Sequence, residues 1–401
     1  MTKPGRPEKR SPYERVFPLG IPLAWRQLVM EKKRFAAAVA GITFAVTMML
    51  FQMGLSSALF DQVVAPLLQM RGDVVLISAQ FEYFGISREF PMQRLFQADG
   101  LPEVVDDAYL DLGNLPFKNP ETGRERSIFI MAFDPADRPF KNPEIVDQQE
   151  KLRVEDTVLF DTESRSDYGP IEQLLAANPD GVMTEVGGQR MVIGGLFAMG
   201  PTFAADGNIL MNRKAFLQLW PDAHEDQISV GLLTLKPGSD PAAAVAKLRL
   251  AMPPDVEAYT MSDFVAKEKQ YWAERTPIGF VIGASMLVAM IVGAVIVYQI
   301  LYTDVTDHLP EYATLKSIGF TDGYFIRLVL QESVILSVLG FIPGTLLAAL
   351  LYWLTRTMAH MPTQLYAVNV AAVFGLSLGM CLLAGGLATR KLRQANPADI
   401  F

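Results

Sequence analysis

A single cysteine, Cys381, stands in 401 residues. No disulfide can form within one chain, so every folded part must hold by its own core. Histidine is almost as scarce. His224, His308 and His360 lie far apart, without the short spacings that gather a metal ion. No Gly-x-x-x-x-Gly-Lys-Ser/Thr loop occurs, so the chain is not expected to hydrolyse ATP itself. No Gly-x-Ser-x-Gly nucleophile elbow occurs either. Carboxylates are plentiful between residues 60 and 276 but form no distinctive pair, and they read as a solvated acidic face. No catalytic residue, metal or cofactor is therefore expected in this chain.

Charge is thin, at 19% of residues, while half the residues are hydrophobic. That balance is too apolar for one soluble protein and too polar for a compact bundle of membrane helices. The net charge of −8 is unevenly spread. Residues 1–34 hold nine Lys/Arg against three acids, whereas residues 60–276 hold twenty Lys/Arg against thirty-four acids. A domain that acidic repels the phosphates of nucleic acid, which is excluded as a partner.

Four runs reach the length of about 20 apolar residues needed to cross a bilayer. They predict membrane spans at 35–59, 277–302, 325–356 and 368–388. The first is too long for a signal core and follows a charged arm of over thirty residues, so it reads as an uncleaved anchor. Ionisable groups are absent from the depth of these runs, and Arg327 and Glu332 read as snorkelling near a surface. Their absence argues for an external energy source. Pro343 is expected to kink the third span.

Lys/Arg asymmetry sets the orientation. Arg26, Lys32, Lys33 and Arg34 flank the first span, and Arg390, Lys391 and Arg393 follow the last. The 357–367 loop has neither Lys nor Arg. Both termini are expected in the cytoplasm, as a basic arm with an amphipathic helix (1–34) and a tail (389–401). Residues 60–276 then form a large α+β domain outside, inserted between the first two of four helices, and 303–324 is a cytoplasmic loop.

Small residues recur every fourth position in three spans: Ser285, Ala289 and Gly293; Gly340, Gly344 and Ala348; Ala371, Gly375 and Gly379. Such faces let backbones approach closely in lipid, either within one subunit or between two copies. In the outer segment, 74–77, 127–131, 182–186, 191–197, 228–235 and 256–260 read as strands, with Gly187-Gly188 as a tight hairpin. Asp240-Pro241 opens a helix through Leu250. Ser262-Asp263 is expected to cap a stalk helix that runs on into the second span. Phe-Lys-Asn-Pro-Glu occurs at both 117–121 and 140–144 and reads as repeated turn chemistry.

The loop from Asp307 to Phe320 is built as a short helix, with Asp307 as cap, Pro310 in the first turn and Gly319 as stop. Its run Glu311-x-Ala313-x-Leu315-Lys316-Ser317-Ile318-Gly319, followed by Arg327, Glu332 and the Gly340/Gly344 helix, resembles the permease signature of the MacB, FtsX and Lol-type ABC systems. The tail from Ala388 to Ile400 and the order of one helix, outer domain and three helices resemble them too. Pro22-Leu-Ala24-Trp25-Arg26, Gln52-x-Gly54 and Ala58-Leu59-Phe60-Asp61 look like DevC, the permease of a glycolipid exporter.

The resemblance implies a bacterial inner-membrane permease working as a homodimer with a separate cytoplasmic ABC ATPase, which carries the ATP and Mg. It implies an adaptor of the membrane-fusion class, an outer-membrane channel and a lipid-like or amphiphilic cargo. It gives the ATPase contact to Leu309, Glu311, Tyr312, Ala313, Leu315, Lys316, Ser317 and Gly319. Two relatives act otherwise, as an FtsX-like transmitter to a periplasmic partner or a Lol-like lipoprotein-release permease.

Overall fold

The computed structural model describes residues 25, 29–86, 88–201, 206–220, 223–317, 320–359 and 363–394. The chain divides into two units. One combines residues 1–58 with 280–401, and the other is 59–279.

Four helices are long and apolar enough to cross a membrane. They are α1 (Lys32–Gln69), α8 (Pro277–Asp307), α10 (Asp322–Ala359) and α11 (Ala367–Gln394), with the short α9 (Leu309–Ser317) between α8 and α10. In the membrane unit α1 is the hub, and glycines set its approach to its neighbours. A Cβ on Gly340 would stand 2.5 Å from Ile42, and one on Gly344 2.8 Å from Val46. The closeness is used for bonding: Thr43 Oγ1 donates to the Gly340 carbonyl at 3.2 Å, and Thr47 Oγ1 to the Gly344 carbonyl at 3.1 Å. On α8, Gly293 admits Ala45 and Met380 in the same way. The helix α10 runs through Pro343 without ending there.

The outer unit is α+β. Its strands are β1 (Val74–Ser78), β2 (Phe90–Pro91), β3 (Val104–Lys118), β4 (Glu125–Phe133), β5 (Thr157–Asp161), β6 (Val182–Val186), β7 (Gln189–Phe197), β8 (Asn208–Asn212), β9 (Gln227–Ile228), β10 (Val230–Leu235) and β11 (Val256–Thr260). Nine of them form one sheet in the order β11-β1-β10-β3-β4-β8-β5-β7-β6. The long β3 divides its pairing, with Val104–Leu110 on β10 and Asp111–Lys118 on β4. Its end also pairs β6, at Phe117 and Lys118. That last pairing closes β3, β4, β8, β5, β7 and β6 into a barrel, which leaves no free edge there. Alternate side chains such as Phe117, Ile128, Ile130, Phe160, Ile193 and Met211 form one buried core, as the two-residue period requires.

Two cores lie on the other part of the sheet. Val75, Ile77, Leu110 and Leu232 pack with Leu67 of α1 and Phe264 of α7 (Met261–Glu274). Val74, Leu76 and Leu233 pack instead with Leu95 of α2 (Gln93–Asp99) and Val245 and Leu248 of α6 (Pro241–Ala251). Two entry segments meet here: Lys269 of α7 reaches Asp61 of α1 at 3.3 Å.

Local chemistry explains the punctuation. Gly187 and Gly188 both take positive φ, 58° and 81°, in the β6–β7 hairpin, which is the turn that matches strand twist. Asp240 caps α6 by accepting from Ala242 N at 3.0 Å. The two Phe-Lys-Asn-Pro-Glu copies are the same turn. Asn119 Oδ1 accepts from Glu121 N at 2.9 Å, and Asn142 Oδ1 accepts from Glu144 N at 3.0 Å, opening α3 (Pro143–Val146).

Three expectations need correction. The cap of α7 is Thr260, whose hydroxyl accepts from Asp263 N at 3.1 Å; Ser262 and Asp263 already lie in the helix. The stalk does not run on as one helix, because α7 ends at Glu274 and α8 begins at Pro277. The 228–235 strand is broken at Ser229, whose hydroxyl accepts from Leu112 N at 3.1 Å.

Candidate functional site

The corner where α8, α9 and α10 meet holds the described residues of the expected ATPase contact. Asp307 is the last residue of α8 rather than the cap of α9. Its carboxylate takes an ion pair from Arg34 of α1 at 2.5 Å, and Arg34 also reaches Glu31 at 2.7 Å. His308 turns the chain: its backbone N–H bonds to the Asp304 carbonyl at 3.1 Å, and its Nδ1 stands 2.9 Å from the same oxygen. A new helix then starts at Leu309, with Pro310 in the first turn where its missing N–H costs nothing.

The helix α9 has an inner and an outer side. Leu315 packs on a small cluster of Val305 from α8 and Phe325, Leu328 and Val329 from α10. Leu309 is half-buried, while Glu311 and Thr314, three residues apart and so on one face, are exposed. Phe320 N donates to the Leu315 carbonyl at 3.2 Å, closing the helix back on itself. The Phe320 ring rests 4.9 Å from that of Tyr324. Tyr312, Ala313, Lys316 and Ser317 belong to this helix; Gly319 lies outside the described residues.

Among the described residues, no three His, Cys, Asp or Glu side chains stand close enough to hold a metal ion. A short helix with one face locked on α8 and α10, and the other open, passes any force on its outer face to both membrane helices. Packed interfaces transmit displacement because they are dense and incompressible.

One reading of the spans is overturned. Glu332 is not at a surface but fully buried inside α10, and Asp304 of α8 is 6% exposed. An ionisable side chain does lie within the helix bundle, and snorkelling does not account for it. The exposed Arg327, on the same helix, fits the surface reading.

The packing stripes divide. Ala289, Gly293, Gly340, Gly344 and Ala348 are buried, and Ser285 half-buried. In α11, Ala371 and Gly375 are exposed, and a Cβ on Gly375 or Gly379 would meet nothing within 4 Å. An aromatic anchor escaped sequence reading. Tyr352 of α10 donates its hydroxyl to the Leu50 carbonyl of α1, and its ring occupies the space beside Gly54, where a Cβ would stand 2.1 Å from that hydroxyl. The Gln52-x-Gly54 pair was its one sequence signal.

In the outer unit several acids are shifted by burial. Asp111 of β3 is pushed up to about 6, against the pull of Arg213, which holds it at 2.7 Å. Glu268 of α7 is pushed up to about 7 by burial, although Trp272 Nε1 and Phe84 N both donate to it. Through that bond the 81–86 segment is tied to α7.

Residues 283–397 match the family model described as FtsX-like permease C-terminal. A search of curated proteins finds no match. Among solved structures, the periplasmic region of MacB from Actinobacillus actinomycetemcomitans is similar at 10% identity and a TM-score of 0.34, covering 52% of this chain and 95% of that one. The extracellular domain of the noncanonic ABC-type transporter YknZ from Gram-positive bacteria is similar at 9% identity and a TM-score of 0.31, covering 47% and 99%. A domain of a putative permease protein from Porphyromonas gingivalis is similar at 15% identity and 0.31, covering 47% and 88%.

Proposed function

We propose, from the match of residues 283–397 to the FtsX-like permease C-terminal family model, that this chain is the membrane subunit of an exporter driven by a separate cytoplasmic ATPase. The ATPase engages α9 at Glu311, which is exposed, and at Lys316. Two copies of the permease work with two of the ATPase, which binds ATP and Mg. The observation that carries this reading is the seat of Leu315 on Val305, Phe325, Leu328 and Val329. Through it, a push on α9 reaches α8 and α10 together.

The 59–279 unit is the moving part of this reading. Its two entry segments, α1 and α7, share one core through Leu67 and Phe264 and are linked by Asp61 and Lys269. In the DevC-type reading, its movement expels a lipid-like or amphiphilic cargo through an adaptor and an outer-membrane channel.

The test is reconstitution of the permease with its ATPase in lipid, measuring ATP hydrolysis with and without candidate amphiphiles. Leu315→Asp and Gly319→Pro are expected to abolish cargo-stimulated hydrolysis while the permease still inserts and stays folded. Stimulation equal to wild type in either folded variant would remove α9 from the coupling path. Export itself is read by cargo lost from the vesicles; ATPase stimulation by a periplasmic partner without cargo loss would favour the transmitter role.

A further inference from the structure

The membrane unit buries two carboxyl groups, one on α10 and one on α8. Glu332 of α10 is wholly shielded, Asp304 of α8 is 6% exposed, and Asp304 is the charged neighbour of Glu332 among the described residues. Among the described residues, neither oxygen of Glu332 meets a hydrogen-bond donor, and Oδ2 of Asp304 meets none. On its own helix Glu332 shares a face with buried Leu328, Val329 and Leu336. The charges near Asp304 come from three places: Arg34 and Glu31 beside α1, Asp307 at the end of α8, and His308 just beyond it. Of these, His308 Nδ1 is 3.6 Å from Asp304 Oδ1.

An ionised carboxylate without a donor, in apolar surroundings, costs far more than surrendering its charge. A neutral acid there forfeits only its hydrogen bonds, on the order of 1–3 kcal/mol. Two neighbouring carboxyls also resist ionising together. Among the described residues, Asp304 has the Arg34 guanidinium and the His308 ring near it, and Glu332 has no titratable neighbour besides Asp304.

We propose that Glu332 and Asp304 form a proton-binding site at this end of the helix bundle, with Glu332 carrying the proton while α8 and α10 stay packed. The site adjoins the seat of α9, since Val305 follows Asp304, and Val329 lies one turn from Glu332. When α8 and α10 part, water reaches the carboxyl, its O–H bond breaks, and the proton passes to bulk solvent. Repacking takes one proton back, and no other bond changes. The proton site stands on the burial alone; its link to an ATPase cycle rests on the permease reading.

The test is infrared spectroscopy of the full chain in lipid nanodiscs at about neutral pH, compared with Glu332→Gln. The wild-type-minus-variant difference spectrum is expected to show a protonated-carboxyl C=O band that moves in D2O, the absorption of Glu268 being common to both and cancelling. A difference spectrum with no such band overturns the proposal. Should Glu332→Gln not fold, Asp304→Asn is read instead. There the band is expected to persist at a shifted frequency, because the neighbouring group has changed. An unshifted band overturns the pairing, and a vanished one moves the proton from Glu332 to Asp304.

Discussion

The hydroxyl of Thr47 on α1 donates to the carbonyl of Gly344 on α10, 3.1 Å away. A backbone carbonyl is reachable across two membrane helices only where no side chain holds them apart. A Cβ at 344 would lie 2.8 Å from Val46 and 3.0 Å from the Thr43 carbonyl. Gly344→Leu is therefore expected to lower stability by about 1–3 kcal/mol through overpacking, read as a lower melting temperature in lipid.

Gly375 supplies the contrast. It has the same composition signal but meets nothing within 4 Å. Gly375→Leu is expected to change the chain's own melting by less than about 0.5 kcal/mol. Equal losses at 344 and 375 would contradict the packing described.

Arg213 closes over Asp111 in the outer unit, with both side chains largely buried. Arg213 also donates to the carbonyls of Glu225 and Gln227 and covers the Tyr109 ring at 4.9 Å. Arg213→Met strands a buried carboxylate, and the expected cost is about 3–5 kcal/mol. The double change with Asp111→Leu is expected to recover much of it. Both are measured by denaturation of the full chain, and a harmless single variant would show that the pair carries no weight.

Glu268 makes the outer unit sensitive to pH. In the unfolded chain it ionises as an ordinary glutamate, while in the fold burial pushes it up to about 7. Between these values unfolding releases a proton, so rising pH favours unfolding. The stabilising contribution is full below about pH 4.5 and lost as pH rises through about 7. Asp111 and Asp137, each pushed up to about 6, act in the same direction lower in the range. Glu268→Gln keeps an acceptor for Phe84 N and Trp272 Nε1, and is expected to flatten the slope between about pH 4.5 and 7. An unchanged slope in melting temperature against pH would show that Glu268 does not titrate there.

The spans were legible because uncharged runs of that length have few other homes. The β6–β7 hairpin announced itself through Gly187-Gly188, whose positive φ other residues avoid. The strand β3 did not: Asp106, Asp107, Asp111, Gly113, Asn114 and Pro116 spoil any apolar alternation. It forms because β10, β4 and β6 all pair with it. Strand β8 hid as a run too short to judge. The burial of Glu332 was illegible for a different reason. Flanked by Arg327 and Gln331, it looks interfacial along its own helix, and only the packing of α8 against α10 takes it from water.

The central claim is that α9 faces the cytoplasm and is open to a partner there. The one native thiol, Cys381, is buried, so a single Glu311→Cys gives a clean target for a membrane-impermeant maleimide. Labelling is expected in inverted membrane vesicles and not in intact spheroplasts; labelling of intact spheroplasts would put α9 on the outside, beyond the reach of any cytoplasmic ATPase.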